Sequence, residues 1–295
     1  MKVPIPSVNY HLWEPCNMKC KFCFATFQDV KNTVLPKGHL SREDSLRVVD
    51  AVVAAGFEKI TFAGGEPTLC KWLDELIIRA KQGGMTTMIV SNGIMLTEAW
   101  LEKMHGHLDW VTISIDTLDP AQQIVMGRVQ NGKPVPSEKY AEIAANVKKY
   151  GIRLKLNTVV SSVNATDDMG DFVEFIAPER WKLFKVLPIK GQNDAHIDEF
   201  VINDTIFEAY VARHEWLNAV GIVTVPENND AMTGSYAMID PAGRFYDNTK
   251  GELSYSEPIL SVGIPKALQQ VSIDADKFEQ RQGIYDWESS SEIVE

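Results

Sequence analysis

The chain of 295 residues is 45% hydrophobic and carries 29 basic and 40 acidic side chains, for a formal net charge of −11. This excess of negative charge argues against general attraction to nucleic acid or anionic membranes, so an anionic ligand needs a local basic pocket. The first twenty residues lack the pattern of a secretory signal, and eighteen apolar residues never follow one another. We therefore expect a cytoplasmic protein without a membrane partner.

Short apolar runs alternate with helix-like segments through the first two thirds of the chain. We predict six strands, within 8–14, 59–65, 86–92, 110–116, 153–160 and 183–189. The amphipathic segment between the first two predicts a helix that begins after the N-cap Ser41 and ends at Gly56. Apolar strands separated by helices favour parallel pairing through right-handed crossovers. The sequence therefore predicts an α/β fold whose six βα units form a full or partial barrel.

The pattern changes after residue 200. A helix is predicted over 204–220, followed by a short strand at 221–226 and a hairpin over 235–248 with Pro-Ala-Gly at its tip. We assign 1–200 to the barrel and 201–287 to a C-terminal α+β extension that closes it. The acidic, serine-rich tail, 288–295, is predicted to be disordered.

Three of the four cysteines lie in the stretch CNMKCKFCF. Cys16, Cys20 and Cys23 follow the first predicted strand with the spacing CxxxCxxC. In a reducing compartment such spacing favours a metal over disulfides. Structural zinc usually takes four ligands from two CxxC-like pairs, and the absence of a second pair in the sequence disfavours zinc. Three thiolates on an iron–sulfur cubane, in contrast, leave one iron without a protein ligand. Cys70 is interpreted as a small buried hydrophobic residue.

Polar motifs lie at the carboxyl ends of the next three predicted strands: GGEP at 64–67, SNG at 91–93 and SID at 114–116. Because the active sites of such barrels gather at the carboxyl ends of the strands, we expect these motifs and the cysteines to face one cavity. Each motif taken alone is equally consistent with an ordinary turn or helix cap.

CxxxCxxC followed by FAGGEPTL resembles the radical S-adenosylmethionine (SAM) superfamily. The resemblance implies a partial (βα)6 barrel with a [4Fe–4S] cluster on Cys16, Cys20 and Cys23. SAM would chelate the remaining iron, and its reductive cleavage would yield a 5′-deoxyadenosyl radical. The SAM contacts implied by these motifs are Gly64, Gly65, Glu66, Ser91, Asn92, Ser114 and Asp116.

Further stretches resemble the viperin family, in its prokaryotic form. MGRVQNGK, LKLNTVV, RWKLFKVLPIKGQN, VPENND and SYAMIDPAGRF occur in the viperin order along nearly the whole chain. The resemblance adds Arg128 as a SAM contact. It implies dehydration of a nucleoside triphosphate, CTP being favoured over UTP or GTP, to its 3′-deoxy-3′,4′-didehydro analogue, a chain terminator in antiviral defence against phage. The membrane-anchoring helix of animal viperins is not matched, which implies a soluble protein.

A triphosphate needs converging cationic and amide donors, and this acidic chain offers few candidates. Neighbours on one extended segment share a face when they are two residues apart, as in LKLN and RWK. Any one of these charges alone is also consistent with a solvated surface group. The viperin resemblance implies as substrate contacts Lys59, Lys155, Asn157, Arg180, Lys182, Lys250 and Arg281.

Loss of the 3′-hydroxyl as water requires an acid. The viperin resemblance implies this role for Tyr236, in GSYAMID. The alternative for a tyrosine at the start of a hairpin strand is ordinary cross-strand packing.

Two other interpretations stay open. One is a radical SAM enzyme acting on another small molecule or a peptide, although such maturases commonly carry a cysteine-rich C-terminal domain and no cysteine follows Cys70. The other is a non-enzymatic iron–sulfur or zinc protein, which would supply all four ligands itself. The partners we expect are the nucleoside triphosphate and an external electron donor such as flavodoxin or ferredoxin. We expect a monomer with no nucleic-acid partner.

Overall fold

Ten strands form one sheet within residues 3–287, the part of the chain that this computed structural model describes. In chain order they are β1 (Ser7–Trp13), β2 (Lys59–Gly64), β3 (Thr86–Ser91), β4 (Trp110–Ser114), β5 (Arg153–Val160), β6 (Arg180–Lys185), β7 (Val223–Glu227), β8 (Ala237–Ile239), β9 (Arg244–Asp247) and β10 (Ser254–Pro258). The sheet order is β10-β9-β8-β1-β2-β3-β4-β5-β6-β7. The predicted tail at 288–295 lies outside the described residues.

Helices connect the strands. They are α1 (Gln28–Thr33), α2 (Arg42–Ala54), α3 (Leu73–Gln82), α4 (Glu98–Met104), α5 (Pro120–Met126), α6 (Ser137–Lys149), α7 (Gly170–Ile176), α8 (Asp204–His214), α9 (Asn229–Met232), α10 (Ile259–Val262), α11 (Ile264–Leu268) and α12 (Ala275–Gln280). Each helix within residues 3–287 is too short or too polar to cross a membrane.

The six predicted βα units are confirmed, since β1 to β6 are parallel and adjacent in chain order. Side chains of a strand alternate between two faces. On β5, Leu154 and Leu156 join the main hydrophobic core, whereas Lys155 and Asn157 line a cavity on the other face. The apolar core therefore lies on one side of the sheet, and a partly polar interior lies on the other.

Local signals in the sequence located most element boundaries. Ser41 caps α2, its hydroxyl accepting a hydrogen bond from the amide of Asp44 at 3.1 Å, and Gly56 follows with φ 83°. The sixth strand was predicted wrongly: it begins at Arg180, pairs with β5 and β7, and ends at Lys185. The prediction of 183–189 followed the apolar residues of that segment, which includes Pro188. Proline has no N–H to donate to a neighbouring strand, so the strand does not extend through it. The helix predicted over 204–220 ends at His214 and continues as a 3-10 turn.

The C-terminal extension contributes to both edges of the barrel sheet. β7 continues the parallel order beside β6, while β8 lies parallel to β1 at the other edge. The predicted hairpin is confirmed as the antiparallel pair β8–β9, with Gly243 at φ 70° in its turn. The chain between β7 and β8 thus links the two edges. The domain boundary at residue 200 stays a prediction.

Candidate active site

The cysteines lie in the loop that follows β1, residues 14–25, here called the cysteine loop. Its backbone is bonded to the end of α5: the Lys19 amide donates to the Gly127 carbonyl at 3.3 Å, and the Lys21 amide to that of Met126 at 3.0 Å. Gly127 has φ 74°, and a Cβ there would overlap the carbonyl oxygen of Lys19. Glycine is therefore required for this close approach.

The GGEP turn packs against the other side of the cysteine loop. The amide of Gly65 donates to the carbonyl of Trp13 at 2.5 Å. A Cβ on Gly64 would overlap that same carbonyl, and one on Gly65 would overlap the carbonyl of Glu14. The observed reason for these glycines is thus the backbone at the end of β1, for Gly64, and at the start of the cysteine loop, for Gly65. Their contact with SAM stays a prediction.

The three thiols fit an iron–sulfur cluster. Burial raises the pKa of Cys16 to about 11 and that of Cys23 to about 12, and the charge of Cys20 raises both further. Within residues 3–287, no three His, Cys, Asp or Glu side chains converge to share one metal ion. A cubane needs no such convergence, because each thiolate binds its own iron. The donor set therefore suits a cluster better than one zinc ion. Cys70 is buried in the hydrophobic core, as predicted.

Glu66 joins the GGEP and SNG motifs. Its carboxylate is 1% exposed and accepts hydrogen bonds from the Ser91 hydroxyl and the Asn92 amide, both at 2.9 Å. Burial raises the pKa of Glu66, although these bonds oppose the shift. The Asn92 side chain donates to Asn17 of the cysteine loop at 2.7 Å. Three of the predicted SAM contacts are therefore adjacent and tied to the cysteines.

Arg128 joins the SID motif to the cysteines. Its guanidinium pairs with Asp116 at 3.0 Å, donates to the carbonyl of Ser114 and approaches the Sγ of Cys20 at 3.8 Å. Asp116 is 2% exposed; burial raises its pKa and Arg128 opposes the rise. Burial raises the pKa of Cys20, and Arg128 opposes the rise and so favours the thiolate form that binds iron. The four predicted residues of this corner are brought together.

A second group of predicted residues lines a cavity inside the partial barrel. Lys250 is the exception, because it is exposed in the turn between β9 and β10 and does not line the cavity. Arg180 lies beside the cavity, with its guanidinium 4.3 Å from the ring centre of Tyr285. The lining includes Thr61, Tyr285 and, of the predicted residues, Lys59, Lys155, Asn157, Lys182, Tyr236 and Arg281.

Strand register places this cavity relative to the cysteine end. Asn157 pairs with Ser114 at the carboxyl end of β4, whereas Lys155 lies two residues earlier on β5, about 6.6 Å back along the strand. Lys59 is the first residue of β2. Lys59, Lys155 and Arg180, the partner of Lys155 on β6, therefore lie toward the amino ends of the strands, and Asn157 lies between them and the SAM motifs. Lys182 is the β6 partner of Asn157 and lies level with it.

We call Lys59, Lys155, Arg180, Lys182 and Arg281 the basic cluster. Burial and neighbouring cations hold the pKa values of Lys59 and Lys155 well below their usual range. Burial also lowers the pKa of Lys182, to about 8. Glu227, fully buried, pairs with Lys182 and lies 3.5 Å from Arg281. Burial would raise the pKa of Glu227, but these two cations lower it.

Tyr236 lies within this charged group. Its hydroxyl donates to Glu227 and accepts from Lys182 at 3.1 Å, and Arg281 stacks 3.6 Å from its ring centre. Burial raises its pKa well above 10. Sequence reasoning considered Glu227 only within a segment able to read a base, so its pairing with Tyr236 was missed. Tyr285 was missed altogether, because no local pattern surrounds it.

Two buried polar atoms in the cavity lack partners among the described residues. They are the hydroxyl oxygen of Thr61 and the side-chain carbonyl oxygen of Asn157. Buried polar groups are nearly always hydrogen-bonded, so unpartnered atoms at a cavity wall suit the hydroxyl groups of a ligand. Both atoms are acceptors able to receive a hydrogen bond from a ribose hydroxyl.

Comparison with known proteins agrees with this geometry. Residues 12–176 match the Radical SAM superfamily model. S-adenosylmethionine-dependent nucleotide dehydratases from Lacinutrix mariniflava and Flammeovirga pacifica are 52% and 50% identical, over 97% and 96% of this chain. The chain spans 60% of the first relative and 96% of the second.

Solved structures of radical SAM enzymes share the fold. Native anSMEcpe with bound AdoMet superposes with a TM-score of 0.67 at 15% identity, over 93% of this chain and 82% of that one. Streptococcus suis SuiB bound to S-adenosylmethionine gives 0.59 at 16% identity, over 81% and 59%. The superfamily uses a [4Fe–4S] cluster and SAM, which the cysteine loop and its neighbours fit. The chain therefore belongs to the radical SAM superfamily and, within it, to the viperin family of S-adenosylmethionine-dependent nucleotide dehydratases.

Proposed function

We propose that this protein dehydrates a ribonucleoside triphosphate to its 3′-deoxy-3′,4′-didehydro analogue. The observation that carries the proposal is the basic cluster: five cationic side chains gathered inside a chain of net charge −11, with Glu227 as the carboxylate facing them. Buried charges are costly unless they are paired. A cluster kept at that cost suits a polyanion such as a triphosphate, which supplies the missing negative charge.

The register suggests how the substrate lies. Phosphates held by Lys59 and Lys155 would extend toward the amino ends of β2 and β5, and the ribose would reach Asn157, level with the SAM motifs. The free acceptors on Asn157 and Thr61 suit ribose hydroxyls. In this orientation C4′ faces the cysteine end, where cluster and SAM when bound supply the hydrogen-abstracting radical. The basic cluster then holds the reacting carbon in place.

Tyr236 is the proposed acid. Removal of the C4′ hydrogen atom leaves a carbon radical, the 3′-hydroxyl departs with one proton as water, and one electron from the external donor completes the double bond. The phenol is bonded to Lys182 and Glu227 and stacked by Arg281. Burial and Glu227 raise the pKa of Tyr236, and Arg281 opposes the rise and so favours the phenolate that remains after proton donation. Lys182 can return the proton, because its pKa is lowered to about 8.

The base preferred and the role of the product are the finer parts of the proposal. CTP is favoured over UTP and GTP on the viperin resemblance alone, and the product would act as a chain terminator against phage polymerases. Glu66, Ser91, Asn92, Ser114, Asp116 and Arg128 are the proposed SAM contacts. Lys250 is not part of the proposed substrate site, because it is exposed in the turn between β9 and β10 and does not line the cavity.

The test is anaerobic reconstitution with iron and sulfide, followed by SAM, dithionite and CTP, UTP, GTP or ATP in separate reactions. Mass spectrometry follows 5′-deoxyadenosine and a nucleotide lighter by one water. We expect both products with one preferred nucleotide. If the protein cleaves SAM but converts none of the four nucleotides, the proposed substrate is rejected and the radical SAM chemistry is retained.

Two matched pairs of variants localise the activity. Cys16→Ala should lose the visible absorbance of the cluster, whereas Cys70→Ala, which alters a core cysteine, should retain it. Lys182→Ala should reduce product formation, whereas Lys250→Ala, on the surface, should leave it unchanged. Equal activity of the two lysine variants would contradict the role assigned to Lys182 beside Tyr236 in the substrate site.

A further inference from the structure

The C-terminal segment, residues 282–287, closes the amino end of the cavity. The carbonyl of Gln282 accepts a hydrogen bond from Arg180 at 3.3 Å, and that of Asp286 from Arg153 at 3.1 Å. The carbonyl of Trp287 accepts from the indole of Trp110 at 3.0 Å. Three backbone contacts therefore fix the segment, and Tyr285 projects from it into the basic cluster.

The hydroxyl of Tyr285 joins two lysines. It accepts hydrogen bonds from the ammonium groups of Lys59 at 2.7 Å and Lys155 at 2.8 Å. Because both bonds end on one oxygen, the two nitrogens lie no farther apart than 5.5 Å, the sum of the two lengths. The lysines are 5% and 2% exposed. Two buried ammonium groups thus share a neutral acceptor, and, besides burial, their mutual repulsion is one cause of the lowered pKa of Lys155.

The phenol also has a donor to offer. A hydroxyl has two acceptor positions and one hydrogen, and here the two lysines occupy the acceptor positions. Among residues 3–287, the hydroxyl of Tyr285 donates no hydrogen bond, since a lysine is the donor in both of its bonds. The two ammonium groups and the phenol O–H therefore make a three-donor site. Such a site matches one terminal phosphate group, which presents three acceptor oxygens.

We propose that Tyr285 positions Lys59 and Lys155 around the terminal phosphate of the substrate and thereby selects nucleotides by the length of their phosphate chain. This inference rests on the proposed function and adds the residue that would distinguish triphosphates from diphosphates. The pair lies at the closed end of the cavity, farther from the SAM motifs than Asn157. A diphosphate whose ribose lies at Asn157 ends one phosphate earlier than a triphosphate, so it would make fewer contacts with this end of the cavity.

The experiment compares wild type with Tyr285→Phe, which removes the hydroxyl and retains the ring. Calorimetry on cluster-loaded enzyme without SAM measures the affinities of CTP, UTP and GTP, each beside its diphosphate. The wild type should favour the triphosphate. In the variant the two lysines repel one another without their shared acceptor, so triphosphate affinity should fall about tenfold and diphosphate affinity by less than about twofold. The turnover number at saturating triphosphate should stay within about twofold, because the hydroxyl lies away from the reacting carbon.

Tyr150→Phe is the control, since its hydroxyl bonds to the exposed Glu98 at 3.2 Å, remote from the cavity, and neither affinity should change. Unchanged triphosphate affinity in Tyr285→Phe, or an equal loss of both affinities, would overturn the inference. If the wild type dehydrates a nucleotide while the variant keeps the wild-type ratio of affinities, only the inference fails. A wild type that neither binds nor converts any nucleotide rejects the proposed function as well.

Discussion

Replacing Lys155 with methionine should weaken substrate binding and stabilise the ligand-free protein. Lys155 is 2% exposed, and burial together with three cationic neighbours holds its pKa well below the usual range. Its ammonium donates to Tyr285 at 2.8 Å, a bond whose net worth is about 1 kcal/mol. Burying an ammonium costs several kcal/mol. Since methionine is similar in length and uncharged, the substitution removes a larger cost than the bond it loses.

The two effects have opposite signs and can be sized. We expect the free energy of unfolding to rise by about 1–2 kcal/mol. Each kcal/mol should raise Tm by about 2–4 °C. Loss of one charge-assisted contact to phosphate, worth about 1.5–3 kcal/mol, should raise KM for the triphosphate roughly 10- to 150-fold. A protein that gains stability as it loses function illustrates the usual cost of a buried charged site.

Scanning calorimetry of the ligand-free protein gives Tm, and the rate of dehydrated nucleotide formation gives KM. Lys250→Met is the matched control, because Lys250 is exposed on the surface. Its Tm should change by the equivalent of less than about 0.5 kcal/mol, and its KM should not change. A lower Tm in Lys155→Met would refute the reasoning about buried charge. An unchanged KM would remove Lys155 from the substrate site.

Three further outcomes are expected. The difference in free energy of unfolding between wild type and Lys155→Met should narrow from pH 7 to 10. Because the pKa of Lys155 is lower in the folded protein than in the unfolded chain, the unfolded chain binds more protons in this range, and the wild type gains stability as pH rises. Denaturant unfolding at several pH values measures this, and a constant difference would contradict it. Asp116→Asn leaves Arg128 buried without its carboxylate, so the free energy of unfolding should fall by about 3–5 kcal/mol. The control Asp50→Asn breaks the exposed pair with Arg79 and should lower it by less than about 1 kcal/mol. Equal unfolding midpoints for the two variants would contradict the importance of the buried pair. Gly65→Ala would overlap a carbonyl of the cysteine loop, so bound iron after reconstitution should fall, and wild-type iron content would dismiss the packing argument.

The site at the carboxyl ends of the strands could be predicted because its signals are local. CxxxCxxC, GGEP, SNG and SID each lie at or just beyond the carboxyl end of a predicted strand, and parallel strands bring these ends to one edge of the sheet. The structure brings Glu66, Ser91 and Asn92 into one hydrogen-bonded group and places Arg128 beside Cys20. Similarly, the alternation in LKLN correctly placed Lys155 and Asn157 on one face of β5.

The amino end of the cavity could not be predicted in the same way. Tyr285 meets Lys59 across 226 positions of the chain and Lys155 across 130. Glu227 ends β7, which pairs with β6, whereas Tyr236 directly precedes β8, which pairs with β1. Lys250, equally basic in the sequence, lies on the surface. Periodicity and turn chemistry act over a few residues and so define strands, helix caps and the motifs at their ends. Which distant side chains meet, how deeply they are buried, and therefore which lysines are forced together depends on how the whole chain packs, and that was decided only in the tertiary structure.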